Sequence, residues 1–453
     1  MVNLIIELTK YMSIFLFAIY TFICFTALSR RKSPKRQKRI LKKQTKLVFW
    51  IHLNSFLAIF AVKQEWNVFI AYAMQAALLC CILVIYKYIY KRASGLVVNN
   101  MCMLLAIGFV ILYRLDPQEA MRQYQIAVAA VAITLIVPFF IQKFHFLKKL
   151  TWVYAAIGIL LLLVVVVAGK TGREKESYGA NLSLSIGGVA IQPSEFVKIL
   201  FVFMVASMLC KSTSLRQVMI TSAAAAVHVL ILVASKDLGA ALIFFITYLI
   251  MLYVATQSLL YFSGGILSAA AASVVAYHLF YHVRVRVIAW KDPLAVIDDA
   301  GYQVSQSLFA IGTGGWFGLG LYQGMPKKIP VVDQDFVFAA VSEEMGGLFA
   351  ICLIMVCASC YLMFLNIAMQ IHDPFYKLTA LGLGTVYGFQ VFLTIGGVIK
   401  FIPSTGVTLP FVSYGGSSLL STFIIFAIIQ GLYILREDEG EDESEAKLRE
   451  LGA

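Results

Sequence analysis

The chain has 453 residues, of which 60% are hydrophobic and only 13% are charged. This composition is too apolar for a soluble globular protein and indicates a polytopic membrane protein. The net charge of +13 does not indicate nucleic-acid binding, because its densest part flanks an apolar run, where anionic membrane lipids are the expected partner, and no nucleic-acid-binding motif accompanies it.

Apolar runs recur along the whole chain and predict an all-α bundle of roughly thirteen transmembrane helices, since each run is close to the length that crosses a bilayer. The runs lack the alternation of barrel strands. About three spans precede residue 95, where Gly- and Pro-rich motifs begin. We therefore divide the chain into an N-terminal transmembrane extension (1–95), a membrane domain (96–436) and an acidic tail (437–453), for which the charge predicts disorder.

Ten Lys and Arg residues between positions 30 and 46 give the strongest orientation signal. Basic loops are retained in the cytoplasm, so this segment is expected inside. Counting spans onward places the C-terminal tail inside as well. The same count places the loops 169–192, 284–335 and 402–410 together on the outer face.

Two helices after residue 190 begin with polar residues. The segment QPSEFVK puts Glu195 and Lys198 three residues apart on a helix that starts near Pro193, so their side chains share one face and can form an ion pair inside the membrane. Such a pair either holds helices together or contacts a substrate. In KDLGAAL, Asp237 is expected to cap the next span.

The most polar segment between apolar runs covers residues 284–344, and charged groups beside a bilayer often mark a functional site. Arg284 and Arg286 follow an apolar run at the depth of lipid phosphates. A planar guanidinium suits phosphate oxygens, although either side chain could instead reach ordinary lipid headgroups. Gln303 and Gln306, three residues apart, could bind sugar hydroxyls or only each other's backbone. The glycines between 312 and 320 suit a re-entrant loop.

Proline and glycine interrupt the helical pattern again in IPSTGVTLPFVSYGGSS, residues 402–418, which predicts a loop packed into the protein before the last span. Lys400, at the outer end of the preceding span, is a second candidate ligand for phosphate. Ser413 can hydrogen-bond a substrate, although bonding between helices is the commoner use of such a hydroxyl.

Six motifs occur in a specific order: IQPSEFVK, KDLGAAL, AGYQVSQS, IGTGGWFGLG, DFVFAAVSEEMG and IPSTGVTLPFVSYGGSS. Over roughly residues 95–436 they resemble the RodA/FtsW/SpoVE (SEDS) family of peptidoglycan glycosyltransferases. The resemblance implies a core of about ten helices in the bacterial plasma membrane, with the active site facing outside. It also implies that lipid II is polymerised into glycan strands during elongation, division or sporulation, with inversion and loss of undecaprenyl pyrophosphate. A class B penicillin-binding protein is the implied partner.

The resemblance also assigns site residues. The family's essential acidic residue follows its large outer loop, and the matching residue here is Asp335, which we expect to act as the catalytic base. From the residues alone, Asp335 could equally cap the helix that follows. Asp333 could raise the pKa of this base, or the two carboxylates could bind a divalent cation such as Mg²⁺ or Mn²⁺. Arg286 matches a family Arg and is preferred to Arg284 as the pyrophosphate ligand.

An acidic pair, Glu343 and Glu344, follows Asp335 by about two helical turns. Facing the same side of that helix near the outer leaflet, the pair should line the substrate cavity. It either contacts the substrate or pairs with a buried Arg or Lys.

Two other functions fit the same features. A lipid II transporter would also have many spans and buried charges, although the sequence shows no internal repeat. A scaffold without catalytic activity, positioning a penicillin-binding protein, would fit as well. Eight cysteines and six histidines show no metal-ligand spacing, so they point to neither a metalloenzyme nor a disulfide framework.

Overall fold

The computed structural model describes residues 2–28, 33–170, 184–186 and 189–450, without the side chains at 34, 145, 168–170, 184–186, 189 and 439–450. Part of the basic segment (residues 30–32) and most of the predicted outer loop 169–192 lie outside these ranges. The described chain is almost entirely helical, as the apolar runs predicted.

Seventeen α-helices occur in the described ranges. In chain order they are α1 (Val2–Leu28), α2 (Pro34–Lys63), α3 (Trp66–Tyr88), α4 (Gly95–Leu115), α5 (Pro117–Thr134), α6 (Val137–Lys143), α7 (Thr151–Lys170), α8 (Pro193–Leu209), α9 (Leu215–Ala234), α10 (Leu238–Thr256), α11 (Leu259–Leu279), α12 (Tyr281–Lys291), α13 (Tyr302–Gly314), α14 (Val337–Met345), α15 (Gly347–Gln370), α16 (Pro374–Val398) and α17 (Gly416–Glu450). Short 3₁₀ helices cover His145–Lys149 and Pro326–Lys328.

Eleven helices in the described ranges are long and apolar enough to cross a membrane, and Thr151–Val167 is a shorter apolar helix. These helices confirm a polytopic all-α membrane protein, with somewhat fewer spans than the roughly thirteen expected from apolar run length. Three of the eleven, in α1, α2 and α3, precede residue 95, as predicted.

Within the described ranges, a short pair of antiparallel strands is a departure from helix that the sequence did not predict. Strand β1 (Leu184–Ile186) pairs with β2 (Val189–Ile191), with Ser185 opposite Ala190. Backbone groups that leave a helix need other partners, and a two-stranded ladder supplies them immediately before α8 begins.

The last helix continues further than expected. Helix α17 runs to Glu450 through most of the acidic segment 437–453, for which the sequence predicted disorder. The Glu and Lys residues of this segment are good helix formers, and extending an existing helix avoids the cost of nucleating a new one. In this structure the backbone of the acidic segment is thus helical up to Glu450.

The chain divides into two compact units. The first comprises Met1–Val131, Val285–Met363 and Gln390–Gly415. Its most buried candidate membrane span is α4, whose Asn100 accepts hydrogen bonds from Tyr20 (2.9 Å) and Gln44 (3.2 Å) and donates one to Ser359 (3.2 Å). Because a buried amide needs partners, these bonds fix α4 against α1, α2 and α15.

The second unit comprises Ala132–Arg284, Phe364–Phe389 and Gly416–Ala453. Helix α8 is almost entirely buried and packs against α7, α9, α10 and α17. Phe201 on α8 lies 4.7 Å from Phe244 on α10, between ring centroids. Helix α11, by contrast, has no buried residue in this structure.

Candidate active site

Asp335 lies in a run of turns that ends where α14 begins. The N-cap position of α14 is Phe336, and the structure shows no side-chain hydrogen bond capping this helix. Asp335 therefore precedes the cap and does not fill the capping role that the residues alone left open. Asp335 is only partly exposed, and its neighbour Gln334 is exposed.

The carboxylate of Asp335 and the guanidinium of Arg286 both lie beside a glycine. A Cβ placed on Gly406 would lie 3.4 Å from Asp335 Oδ2 and 3.4 Å from Arg286 Nη2. The two charged groups are thus within 6.8 Å of each other, the sum of these distances. Gly406 is exposed and has φ +73°, a conformation that favours glycine. A side chain at position 406 would therefore lie against both charged groups.

The charges around Asp335 set its pKa. Burial raises the pKa of this carboxyl, the Arg286 guanidinium lowers it and the Asp333 carboxylate raises it, with a net value of about 6. Burial has the larger effect on this pKa, because the ionised carboxylate loses more stabilisation from water than the Arg286 guanidinium gives back. The group is therefore a stronger base than an ordinary aspartate and is still largely ionised at neutral pH.

The turn that holds Asp335 is tied to the loop before α17. The Ser413 hydroxyl donates to the carbonyl of Gln334 and accepts from the backbone N–H of Leu409 at 2.8 Å. The backbone N–H of Tyr414 donates to the carbonyl of Asp333 at 2.8 Å. Ser413 is only 4% exposed, and both functions of its hydroxyl are in use. In this arrangement Ser413 holds the turn that contains Asp335 in place.

Gln303 has a comparable role on the other side of the turn. Its Nε2 donates to the carbonyl of Pro330 at 2.9 Å, so α13 is joined to the chain just before Asp335. The sequence left open a bond to a sugar hydroxyl or to the backbone of Gln306, and the structure instead shows this bond to Pro330.

Glu343 and Glu344 are both buried, so they do not line an open cavity as expected. Glu344 Oε1 accepts from Arg114 Nε at 2.8 Å and from the backbone N–H of Tyr322 at 3.2 Å, and Arg114 Nη2 lies 2.7 Å from it. Glu343 Oε1 accepts from the backbone N–H of Met325 at 2.9 Å. For Glu344 the partner is thus a buried Arg, which was one of the two alternatives predicted, whereas Glu343 bonds to a backbone group.

Arg114 is a site residue that the sequence reasoning missed. Besides its ion pair, it donates to the carbonyl of Gly324 at 3.2 Å and lies 4.2 Å from the centroid of the Tyr322 ring. The sequence does mark Arg114 as a candidate, because it is a charged residue at the end of the apolar run Gly95–Leu115. An isolated charge in such a run requires a partner.

The remaining predicted phosphate ligands lie in different surroundings. Arg284 is exposed and donates to the carbonyl of His278 at 3.1 Å, which satisfies the C-terminal end of α11. Lys400 adopts φ +59°, and its carbonyl accepts from Trp290 Nε1 at 3.1 Å. Of the predicted cations, the structure brings Arg286 to the carboxylate of Asp335.

Two sequence predictions concern the second unit: the ion pair of Glu195 with Lys198 and the helix cap by Asp237. Lys198 Nζ lies 2.6 Å from Glu195 Oε2, which also accepts from the hydroxyl of Ser421 at 2.7 Å. The expected ion pair is therefore formed, and Ser421 joins it from α17. Asp237 is the N-cap of α10 and accepts from the backbone N–H of Ala240 at 3.1 Å, as predicted.

Further charged groups lie around Asp333. Glu119, at the start of α5, interacts electrostatically with Asp333 and with the exposed cations Arg122 and Lys327. In the part of the chain that the structure describes, no group of three His, Cys, Asp or Glu side chains is arranged to hold a metal ion. Asp333 and Asp335 alone would suit Mg²⁺, which commonly binds one or two carboxylates together with water and substrate phosphate.

Comparisons with known proteins agree with this fold. A family model described as "Cell cycle protein", FTSW_RODA_SPOVE, matches residues 95–437. Peptidoglycan glycosyltransferase RodA of Mycobacterium tuberculosis is 34% identical over 350 residues, 71% of this chain and 74% of the relative. Stage V sporulation protein E of Bacillus subtilis is 29% identical over 349 residues, 72% of this chain and 92% of the relative.

A solved structure of a peptidoglycan synthase complex that coordinates polymerization and crosslinking contains a similar chain. The TM-score is 0.64 at 24% identity, over 76% of this chain and 98% of that chain. At this identity the likeness establishes the fold.

Proposed function

Because the chain belongs to the FtsW/RodA/SpoVE family, we propose that it is a membrane peptidoglycan glycosyltransferase that polymerises lipid II into glycan strands. The observation that carries this proposal is that the carboxylate of Asp335 and the guanidinium of Arg286 both lie beside the exposed Gly406. A reaction that moves a proton and releases a diphosphate needs one base and one cation at the same place.

In the proposed reaction, an acceptor sugar hydroxyl attacks the anomeric carbon of a lipid-linked donor. Asp335 takes the hydroxyl proton as the new glycosidic bond forms. The bond between the anomeric carbon and the pyrophosphate oxygen breaks, and its electron pair leaves with undecaprenyl pyrophosphate. Attack on the face opposite an α-linked leaving group gives the β linkage directly, without a covalent sugar intermediate.

Arg286 is assigned to the leaving group. Its planar guanidinium can donate two parallel hydrogen bonds to phosphate oxygens, and it spreads the charge that develops as the bond breaks. Before substrate binds, the same guanidinium keeps the pKa of Asp335 from rising further. One cation thus keeps the base ionised and prepares the site for an anionic leaving group.

We propose Asp333 and Asp335 as the residues that would hold a divalent cation, if the reaction uses one. A bound Mg²⁺ or Mn²⁺ would supply further positive charge to the departing pyrophosphate. The remaining ligands would be water and substrate phosphate.

The proposed orientation places the site outside the cell and both the basic segment and the C-terminus in the cytoplasm. The density of Lys and Arg between residues 30 and 46 supports it. An extracytoplasmic site also suits a product that becomes part of the cell wall. The partner we propose is a class B penicillin-binding protein, supported by the similar chain found in a complex that combines polymerization with crosslinking.

The test is polymerisation of labelled lipid II by the purified full-length protein. Asp335→Asn should abolish polymer formation. The control Asp298→Asn, which removes an exposed carboxylate from the same predicted outer loop (284–335), should not. Polymer that persists in Asp335→Asn would refute the assignment of the base. Transport of lipid II across sealed vesicles without polymer would favour the transporter, and neither activity would favour the scaffold.

A further inference from the structure

The first helix of the N-terminal extension contacts the loop that leads toward the proposed base. Ile6 is only 1% exposed, although Leu4 and Leu8 on the same helix are each 62% exposed. Its Cγ2 lies 2.5 Å from the point that a Cβ on Gly320 would occupy. Gly320 has φ +100°. Helix α1 can therefore pack directly on the loop backbone because residue 320 is glycine.

We call residues 315–323 the glycine loop. Two aromatic contacts also join α1 to this loop and to α15, which follows α14. The rings of Tyr11 and Phe317 lie 5.7 Å apart, and those of Phe17 and Phe349 lie 4.4 Å apart, between centroids. Phe17 is completely buried. Helix α1 thus packs against both the glycine loop and the first turn of α15.

Helix α1 is itself held in place by polar contacts with α2. Asn54 Nδ2 donates to the carbonyl of Thr9 and to the hydroxyl of Ser13, at 2.7 Å in each case. An amide buried with two partners restricts movement of one helix along the other, because sliding would break both bonds. The extension therefore presents Ile6 at a defined position.

The glycine loop is hydrogen-bonded in turn to the helix that follows Asp335. The backbone N–H groups of Leu319 and Gly320 donate to the carbonyls of Glu343 (3.0 Å) and Glu344 (2.8 Å), at the end of α14. Helix α14 begins two residues after Asp335. A displacement of the glycine loop would therefore also move α14, which begins where the turn that carries Asp335 ends.

We propose that α1 is a positioning element of the active site: by seating Ile6 on Gly320 it clamps the glycine loop to α14 and fixes the turn that carries Asp335. The catalytic part of this inference rests on the proposed function. It assigns a role to the first helix of the extension, which lies outside the family-matched residues 95–437. Ile6 acts through the loop and α14, so it is a positioning residue and not a catalytic one.

The first test compares the polymerisation kinetics of full-length variants. Ile6→Ala should lower kcat on the order of tenfold with little change in KM, because misplacing a catalytic group slows the chemical step more than binding. It should also move the acidic midpoint of the pH profile away from about 6, the pKa of Asp335. Ile6→Val should keep most of the activity. The matched control Leu4→Ala removes an exposed side chain from the same helix and should behave as wild type.

The second test does not depend on activity. In Ile6→Ala, but not in Leu4→Ala, the backbone amides of Leu319 and Gly320 should exchange hydrogen on the order of tenfold faster, since their bonds to α14 open more often. Unchanged exchange would overturn the clamp, and faster exchange with an unaltered kcat and pH midpoint would overturn the positioning role. A wild-type protein that makes no polymer would refute the proposed function and with it the catalytic part, and exchange would still decide whether α1 clamps the loop.

Discussion

The pH dependence of polymerisation tests the assignment of Asp335 most directly. With a pKa of about 6 for this carboxyl, the ionised fraction is about one half at pH 6 and about one tenth at pH 5. Lipid II polymerisation should fall by the same factors from its plateau above pH 7. An unperturbed aspartate, with a pKa of about 3.9, would still be mostly ionised at pH 5 and would give almost no loss.

The stability of the fold changes in the opposite direction and therefore does not imitate this loss. A carboxyl whose pKa is raised on folding contributes stability that is fully present below about pH 4 and is lost as the pH rises through about 6. For Asp335 the difference is on the order of 3 kcal/mol. As far as this group is concerned, acidification from pH 7 to 5 stabilises the protein while it inactivates the base.

The assay is an initial-rate measurement of kcat/KM on labelled lipid II between pH 5 and 8, with return to pH 7 to show that inactivation is reversible. The variant Asp333→Asn tests the same pKa without replacing Asp335, because the Asp333 carboxylate raises the pKa of Asp335. Its removal should move the midpoint to lower pH. A rate that is constant from pH 7 to 5 in the wild type, or a midpoint that rises in Asp333→Asn, would refute the reasoning.

Three further predictions concern the surroundings of the site and the second unit. Gly406→Ala should lower activity on the order of tenfold, because residue 406 has φ +73° and the new methyl group would lie 3.4 Å from both charged groups; a rate equal to wild type would show that substrate does not enter there. Arg114→Gln should destabilise the protein by about 3–5 kcal/mol, measured by unfolding in detergent, since it leaves the buried Glu344 without its cation. Lys198→Met should lower the melting temperature by isolating Glu195, and the further change Glu195→Gln should restore much of it; no recovery would contradict a pairwise role.

The features predicted well from sequence depend on local spacing. Hydropathy and run length gave the membrane class and the three helices before residue 95, because a span must satisfy its own backbone in lipid. The pair Glu195 and Lys198 and the cap by Asp237 followed from distances of three residues along a helix. Each of these depends on the conformation of one segment, which its own residues largely determine.

The proximity of Arg286 to Asp335 is different in kind. They are far apart in sequence and meet because the loop that contains Gly406 brings both to one point. Composition and periodicity do not encode such a contact, and it was expected only from the resemblance to a family. The positive φ of Gly406 was equally hidden, because its glycine was interpreted as an interruption of a helix.

Ser413, Gln303 and Glu344 show why polar residues near a site are easily mistaken for ligands. Each has a group suited to a sugar or phosphate, yet the structure uses each one to hold backbone or a buried cation. A buried polar group must find a partner within the protein, and the loops around a membrane active site contain many such groups. The carboxylate of Asp335 differs in lying, together with the Arg286 guanidinium, beside Gly406, an exposed residue without a side chain. This placement near the surface, and not the residue type alone, supports its proposed role as the base.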